Sequence, residues 1–160
     1  MTHRQSNAPR LALSALLGLL LASAALGQEV ASGDLPDPRL TPGAWDTQAT
    51  TDDVCTPGYA HAHRPSFAES NALKHAVFAR YGIAWSEHGK YELDHLVPLE
   101  LGGNSSIENL WPELWPEAIA KDALENRLHA LVCAGELSLH DAQMQISSDW
   151  EACYRRYIGN

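Results

Sequence analysis

The chain has 160 residues, 45% of them hydrophobic, with 20 acids against 11 Lys and Arg and a formal net charge of −9 at pH 7. These values describe about one globular domain. They exclude a protein that holds nucleic acid by bulk positive charge alone, because Lys and Arg normally supply that affinity.

Residues 1–27 read as a secretory signal peptide. Arg4 and Arg10 precede an apolar run from Leu11 to Leu21, and Ala25-Leu26-Gly27 offers the small residues a signal peptidase reads. The run is short for a membrane span and is followed at once by the cleavage site, so no stable membrane association is expected after cleavage. Loss of Arg4 and Arg10 leaves 9 bases against 20 acids, a net −11. Residues 28–53 mix Pro, Gly, Asp and Thr without a sustained period and carry six acids with one base, Arg39. This segment is expected to be a disordered acidic linker, and the folded domain is expected over 54–160.

Cys55-Thr56-Pro57-Gly58 is turn chemistry. The spacing of Leu73, Val77 and Tyr81, with Ser70 as N-cap and Gly82 as stop, predicts a helix over 71–80. Arg64, Lys74, His75, Arg80 and Lys90 make 64–90 the most basic part of the mature chain. A solvated helix face explains such charges by itself. Phosphate contact by Arg64 and Lys74 is the functional alternative.

Glu92 to Asn109 (ELDHLVPLELGGNSSIEN) reads as a β-hairpin. Leu96, Val97, Leu99 and Leu101 supply strand-like apolar residues, Pro98 argues for an irregular or edge strand, and Gly102-Gly103 allows a tight connection. Asp94 and His95 are neighbours on the first strand, and neighbours on a regular strand point to opposite faces. A shared site for the two therefore predicts a bend or bulge. Leu110-Trp-Pro-Glu-Leu-Trp-Pro-Glu117 follows, its indoles expected to pack on the domain, with stacking on a nucleotide base as the alternative, and Pro116 to sit at the next helix's first turn.

That helix is predicted over 117–134, ended by Gly135, with Leu124, Leu128, Leu131 and Val132 as one apolar stripe. Lys121, Asp122, Glu125 and His129 flank the stripe and could face a groove between helix and hairpin, although Lys121 and Glu125 are also spaced as a surface ion pair. Ser138 and Asp141 suggest a capping box for one long or two short last helices, with Cys153 on the buried side. Three cysteines, Cys55, Cys133 and Cys153, permit three single-disulfide pairings in an exported chain. Cys55 with Cys133 is the pairing expected here, since it would tie the segment before the hairpin to the end of the long helix.

Asp94-His95, Pro98-Leu99, Gly102-Gly103 and Asn109-Leu110, followed by a helix, resemble the HNH nucleases, also called ββα-metal or His-Me finger nucleases, in their bacterial secreted form. The resemblance implies an α+β fold, a small hairpin-plus-helix core surrounded by additional helices. It also implies an exported (periplasmic or extracellular) metal-dependent endonuclease acting on nucleic acid, DNA ahead of RNA. Carried over by position, His95 is the general base, Asp94 a metal ligand and Asn109 the positioning residue. Where many members place a last histidine, this chain has Ala118, so Asp122 or Glu125 becomes the candidate helix ligand, with His129 third. Carboxylate ligands favour Mg²⁺ or Mn²⁺ over a closed Zn²⁺ site. The absence of any C-x-x-C excludes the zinc-knuckle elaboration of many HNH nucleases. Arg64, Lys74, Lys121 and His129 are the candidate substrate contacts. The alternative is an exported binding module that keeps the scaffold without activity, motivated by the missing histidine and the acidic charge.

Overall fold

The computed structural model of the protein describes residues 35–159 together with Met1. The expected signal peptide and the first residues of the expected linker lie outside the described residues. No helix among the described residues is long and apolar enough to cross a membrane.

Residues 35–53 are not the disordered linker their composition suggests. Thr41 is buried, its hydroxyl bonded to the Leu110 carbonyl at 3.0 Å and to the Tyr81 hydroxyl at 2.7 Å. Gly43 N–H donates to the Glu108 carbonyl, Asp46 N–H donates to the Gly102 carbonyl, and Trp45 bridges antiparallel to Gly103. The segment lacks hydrophobic periodicity because backbone and polar contacts with the hairpin fix it, with Trp45 and Ala49 packed singly against the core. Two short helices follow, α1 (Thr51–Val54) and α2 (Tyr59–His63), where no regular pattern was legible.

Helix α3 (Phe67–Arg80) begins four residues before the predicted start. Ser66, not Ser70, is the N-cap: its side chain accepts from Glu69 N–H while the Glu69 carboxylate accepts from Ser66 N–H. This reciprocal box satisfies two otherwise unpaired donors, so it outcompetes a lone serine further along. A 3₁₀ turn over Trp85–Lys90 then leads into β1 (Tyr91–His95), which pairs antiparallel with β2 (Leu110–Leu114).

The hairpin has shorter strands than its apolar run suggests. β1 stops at His95, and Leu96, Val97, Leu99 and Leu101 belong to the connecting loop, where all four are buried. An apolar run reads alike for a strand and for a buried loop. Here Pro98 ends the ladder and a 3₁₀ turn at Leu99–Leu101 follows. The loop reverses at Gly102, whose φ is +79°. Asn109 holds it closed: its side-chain amide donates to the carbonyls of Val97 and Asn104, both at 2.8 Å, and its oxygen accepts from Val97 N–H at 2.9 Å and Ala44 N–H at 3.1 Å. A buried Asn has two donors and two acceptor sites, and all four are used.

β2 runs straight into α4 (Trp115–Cys133), with Pro116 in its first turn and Gly135 in the left-handed region just past its end. Leu124, Leu128, Leu131 and Val132 are buried as expected. Of the paired Trp-Pro units, Trp111 is buried on β2, whereas Trp115 is exposed and donates its Nε1–H to the Gly89 carbonyl at 3.2 Å. Two short helices close the chain, α5 (Leu139–Ser148) and α6 (Trp150–Tyr157). Ser138 caps α5 by accepting from Asp141 N–H, one half of the expected box. Ala142, Ile146, Trp150 and Cys153 complete the core with Val54, Leu96, Trp111, Leu124, Leu128 and Val132. The architecture is α+β. Cys55 and Cys133 form a disulfide across a sequence separation of 78 residues, and Cys153 is a buried free thiol.

Gly103 is the tightest point of the loop. A Cβ built there would lie 1.8 Å from the Val97 carbonyl oxygen and 2.8 Å from that of Pro98. Gly103→Ala is expected to destabilise by about 1–3 kcal/mol or more, as overpacking against fixed backbone does. Gly89→Ala, where nothing lies within 4 Å, serves as the control and should leave the denaturation midpoint unchanged.

Candidate active site

Four consecutive residues of β1, Glu92 to His95, border a cleft of about 480 Å³, so the cleft follows the free edge of that strand. Arg64, Phe67 and Lys74 line it from α3 and the turn before it, Glu100 from the hairpin loop, and Trp115, Asp122 and Glu125 from α4. Asp94 and His95 therefore share a site without a bulge. The pairing is regular, Asp94 opposite Trp111 and His95 opposite Leu110, and an edge cleft is open to side chains from both faces.

On the face towards α4, Asp94 Oδ2 accepts from Lys121 Nζ at 2.6 Å. The same ammonium donates to the His95 carbonyl at 2.7 Å and to the Glu125 carboxylate. Lys121 is 1% exposed and does not line the cleft, so it is not the phosphate contact expected of it. A buried ammonium is tolerated only when paired and hydrogen-bonded, and three oxygen acceptors around it meet that demand. Burial opposes its charge, but Asp94, Glu125 and Glu113 outweigh burial and raise its pKa. Burial would raise the Asp94 carboxyl too, yet the adjacent Lys121 holds it below the usual range.

Glu125 lines the cleft as expected, but Lys121 is its partner. Burial pushes its pKa up to about 8 against the pull of that ammonium. Glu113, missed in the sequence, is fully buried on β2; no other group donates to its oxygens, and as a protonated carboxyl it hydrogen-bonds the Asp94 carboxylate. Burial, followed by the charge of Asp94, pushes it up to about 10, so it is neutral at physiological pH.

His95 bonds through Nε2 to the Ser105 hydroxyl at 2.9 Å. Burial lowers its pKa to about 4, with Asp94 opposing, which leaves a neutral imidazole. When Ser105 Oγ accepts from Nε2–H, Nδ1 carries the lone pair that can take a proton. Asn109 is completely buried and outside the cleft, so its positioning acts through the loop that carries Ser105 and Glu100.

Arg64, Lys74 and Asp122 line the cleft as expected. Lys74 also donates to the Tyr91 carbonyl at 2.9 Å, and burial lowers its pKa. Burial raises the carboxyls of Asp122 and Glu92, with Asp94 adding to both, and burial raises Glu100 as well. Glu92 was missed in the sequence; the signal that could have found it is its place two residues before Asp94 on the same strand face. Glu100, with one buried unpartnered oxygen, carried no sequence signal.

His129 does not reach the cleft. Its Nε2 bonds the Val54 carbonyl at 3.0 Å and lies 3.5 Å from the Cys133 sulfur. Cys55, His129 and Cys133 are the one group of three His, Cys, Asp or Glu among the described residues whose ligand atoms lie within 4.8 Å of one another. Such a group could hold a metal ion, but its two sulfurs are joined to each other in the disulfide. The chain matches no family model, no curated protein and no solved structure.

Glu113 gives a pH test of this charge arrangement. Its folded pKa of about 10 lies above its ordinary value of 4.5, so the folded chain holds a proton that the unfolded chain releases. The stability this contributes is complete below pH 4.5 and is lost as pH rises through about 10. The melting temperature of the wild type should fall from pH 5 to pH 9, and Glu113→Gln should flatten that slope. Parallel slopes for the two proteins would mean that Glu113 is ionised in the folded state.

Proposed function

We propose that this protein is an exported metal-dependent endonuclease that hydrolyses phosphodiester bonds, with His95 as general base. The observation that carries the reading is the His95 imidazole on one cleft with Asp94, Asp122 and the cations Arg64 and Lys74. The hairpin, with Asp94-His95 at the end of β1 and Asn109 just before β2, runs into a long helix, an order that resembles the ββα-metal core. The disulfide suits an oxidising compartment and so supports export.

The donor set fits a hard divalent cation. Glu92, Asp94, Glu100, Asp122 and Glu125 all line the cleft, and burial together with mutual repulsion raises most of them. A divalent ion would relieve that repulsion and offset the charge that otherwise repels phosphate. Mg²⁺ or Mn²⁺ is commonly held by one or two carboxylates with waters and substrate phosphate completing the shell. Asp94 and Asp122 would hold it here: Lys121 contacts Asp94 and Glu125 alike, but burial raises Glu125 to about 8 whereas Asp94 stays ionised. No three cleft ligands gather as a closed Zn²⁺ site needs. When bound, the ion would supply Lewis-acid stabilisation of the phosphate's developing charge.

The chain's own residues do the rest. His95 accepts a proton from the attacking water, and Ser105 fixes the ring's orientation. The Lys121 ammonium keeps Asp94 ionised and in place. Arg64 and Lys74 face the phosphates. A second reading, a binding module without turnover, draws on the same lysine, whose charge already answers Asp94 and Glu125.

His95→Ala is expected to lower cleavage of plasmid or oligonucleotide about 10²–10⁴-fold with an unchanged melting temperature, the usual contribution of a general base. Asp122→Ala should raise the Mg²⁺ or Mn²⁺ concentration needed for half-maximal rate. No metal-dependent cleavage by the wild type would leave the binding-module reading in place, and wild-type turnover by His95→Ala would remove His95 as base.

A further inference from the structure

Phe67 is 90% exposed and Trp115 is 46% exposed, and both line the cleft that holds His95. Single exposed apolar side chains are ordinary on a protein surface, but two aromatic rings on the wall of one polar cleft are a contact surface. Both residues start ordered helices. Phe67 is the first residue of α3, set by the Ser66 cap, and Trp115 is pinned through its Nε1–H to the Gly89 carbonyl. Trp85 also lines the cleft but is already stacked with His75 and His88 at centroid distances of 3.5 and 4.6 Å, which leaves the other two rings as the open platforms.

Charge narrows the partner further. Arg64 and Lys74 are the cleft's Arg and Lys residues, against five carboxylates. A duplex is held mainly by phosphate neutralisation and presents no open base faces to an aromatic side chain. Unpaired bases can stack on such rings, and this part of the affinity does not require phosphate neutralisation. Resting on the nuclease reading of the same cleft, we infer that the substrate is single-stranded nucleic acid, its bases stacked on Phe67 and Trp115 and its backbone passing Arg64 and Lys74. The platforms explain how an acidic chain can hold a polyanion: much of the affinity comes from ring faces.

The test is fluorescence anisotropy with labelled 12-residue oligonucleotides, using His95→Ala protein so that nothing is cut. Single-stranded DNA should bind more tightly than the duplex of the same sequence and than an abasic strand with the same phosphates. Its affinity should fall only shallowly with salt, with a log–log slope of about −1 to −2 for two phosphate contacts. Phe67→Ala and Trp115→Ala should each weaken single-strand binding about 5- to 100-fold at unchanged melting temperature. A single-stranded RNA arm shows whether the 2′-hydroxyl matters; tighter RNA binding that keeps the aromatic dependence still supports the inference. Duplex or abasic strand bound as well as single-stranded DNA, or no effect of either aromatic substitution, would overturn it. Failure of the nuclease reading looks different: aromatic-dependent single-strand binding would persist while wild-type protein with Mg²⁺ or Mn²⁺ cuts nothing. Efficient duplex cleavage untouched by Phe67→Ala would instead sink the single-strand inference and leave the nuclease.

Discussion

One buried ammonium joins the hairpin to the long helix, and the geometry of the cleft depends on it. Lys121 reaches from α4 to the Asp94 carboxylate and to the His95 carbonyl while also holding Glu125 on its own helix. A desolvated charge of this kind is costly to leave unpaired, so removing either side of the arrangement would leave the other stranded. The lysine therefore fixes where β1 lies against α4, and it fixes the charge state of Asp94. A groove rich in acids is compatible with a folded chain because burial holds Glu113 neutral and raises Glu125, while Lys121 pairs with the ionised Asp94.

Asn109 does comparable work on the other side of the hairpin. Its four hydrogen bonds close the loop from Leu96 onward and attach the incoming segment at Ala44. Ser105 and Glu100 are both on that loop, so a side chain that never meets the cleft determines the surroundings of His95. Gly103, pressed against the Val97 carbonyl, shows how closely the loop is folded on itself. The acidic segment before residue 54 is part of the same assembly, bonded to Leu110, Glu108 and Gly102.

The cleft combines features that pull in opposite directions for a polyanion. Its carboxylates oppose phosphate, while its hard-donor character suits a divalent ion and its aromatic rings offer affinity that does not depend on charge. These properties belong to one surface and are the ones the proposed nuclease of unpaired substrate would use. The disulfide lies away from this surface, clamping α1's end to the last turn of α4.

Local signals carried far in the sequence. The α4 stripe, Pro116 at its start and Gly135 at its end were readable because one helix obeys one period and its own caps. Asp94, His95, Asp122, Arg64 and Lys74 were found as cleft residues from a short motif and from the placement of charge. The α3 start was misread only because Ser66 and Ser70 both make N-caps, and Glu69 decides between them. What the sequence could not supply was partnership across the fold. Lys121 and Glu125 looked like a surface pair because i to i+4 spacing says nothing about burial, and His129 looked like a groove residue because it shares their flank. Leu96 to Leu101 looked like strand because apolar content does not say whether a ladder partner exists. By itself the sequence determined α4 with both its ends, the Ser138 cap, the Asp-His and Asn positions and the cysteines available for pairing, since each depends on neighbours along the chain. Only the tertiary structure decided that Lys121 is an internal counter-ion, that Glu113 is buried and neutral, and that Phe67 and Trp115 meet on one cleft, because each depends on which distant residues share its solvent-free or solvent-facing space.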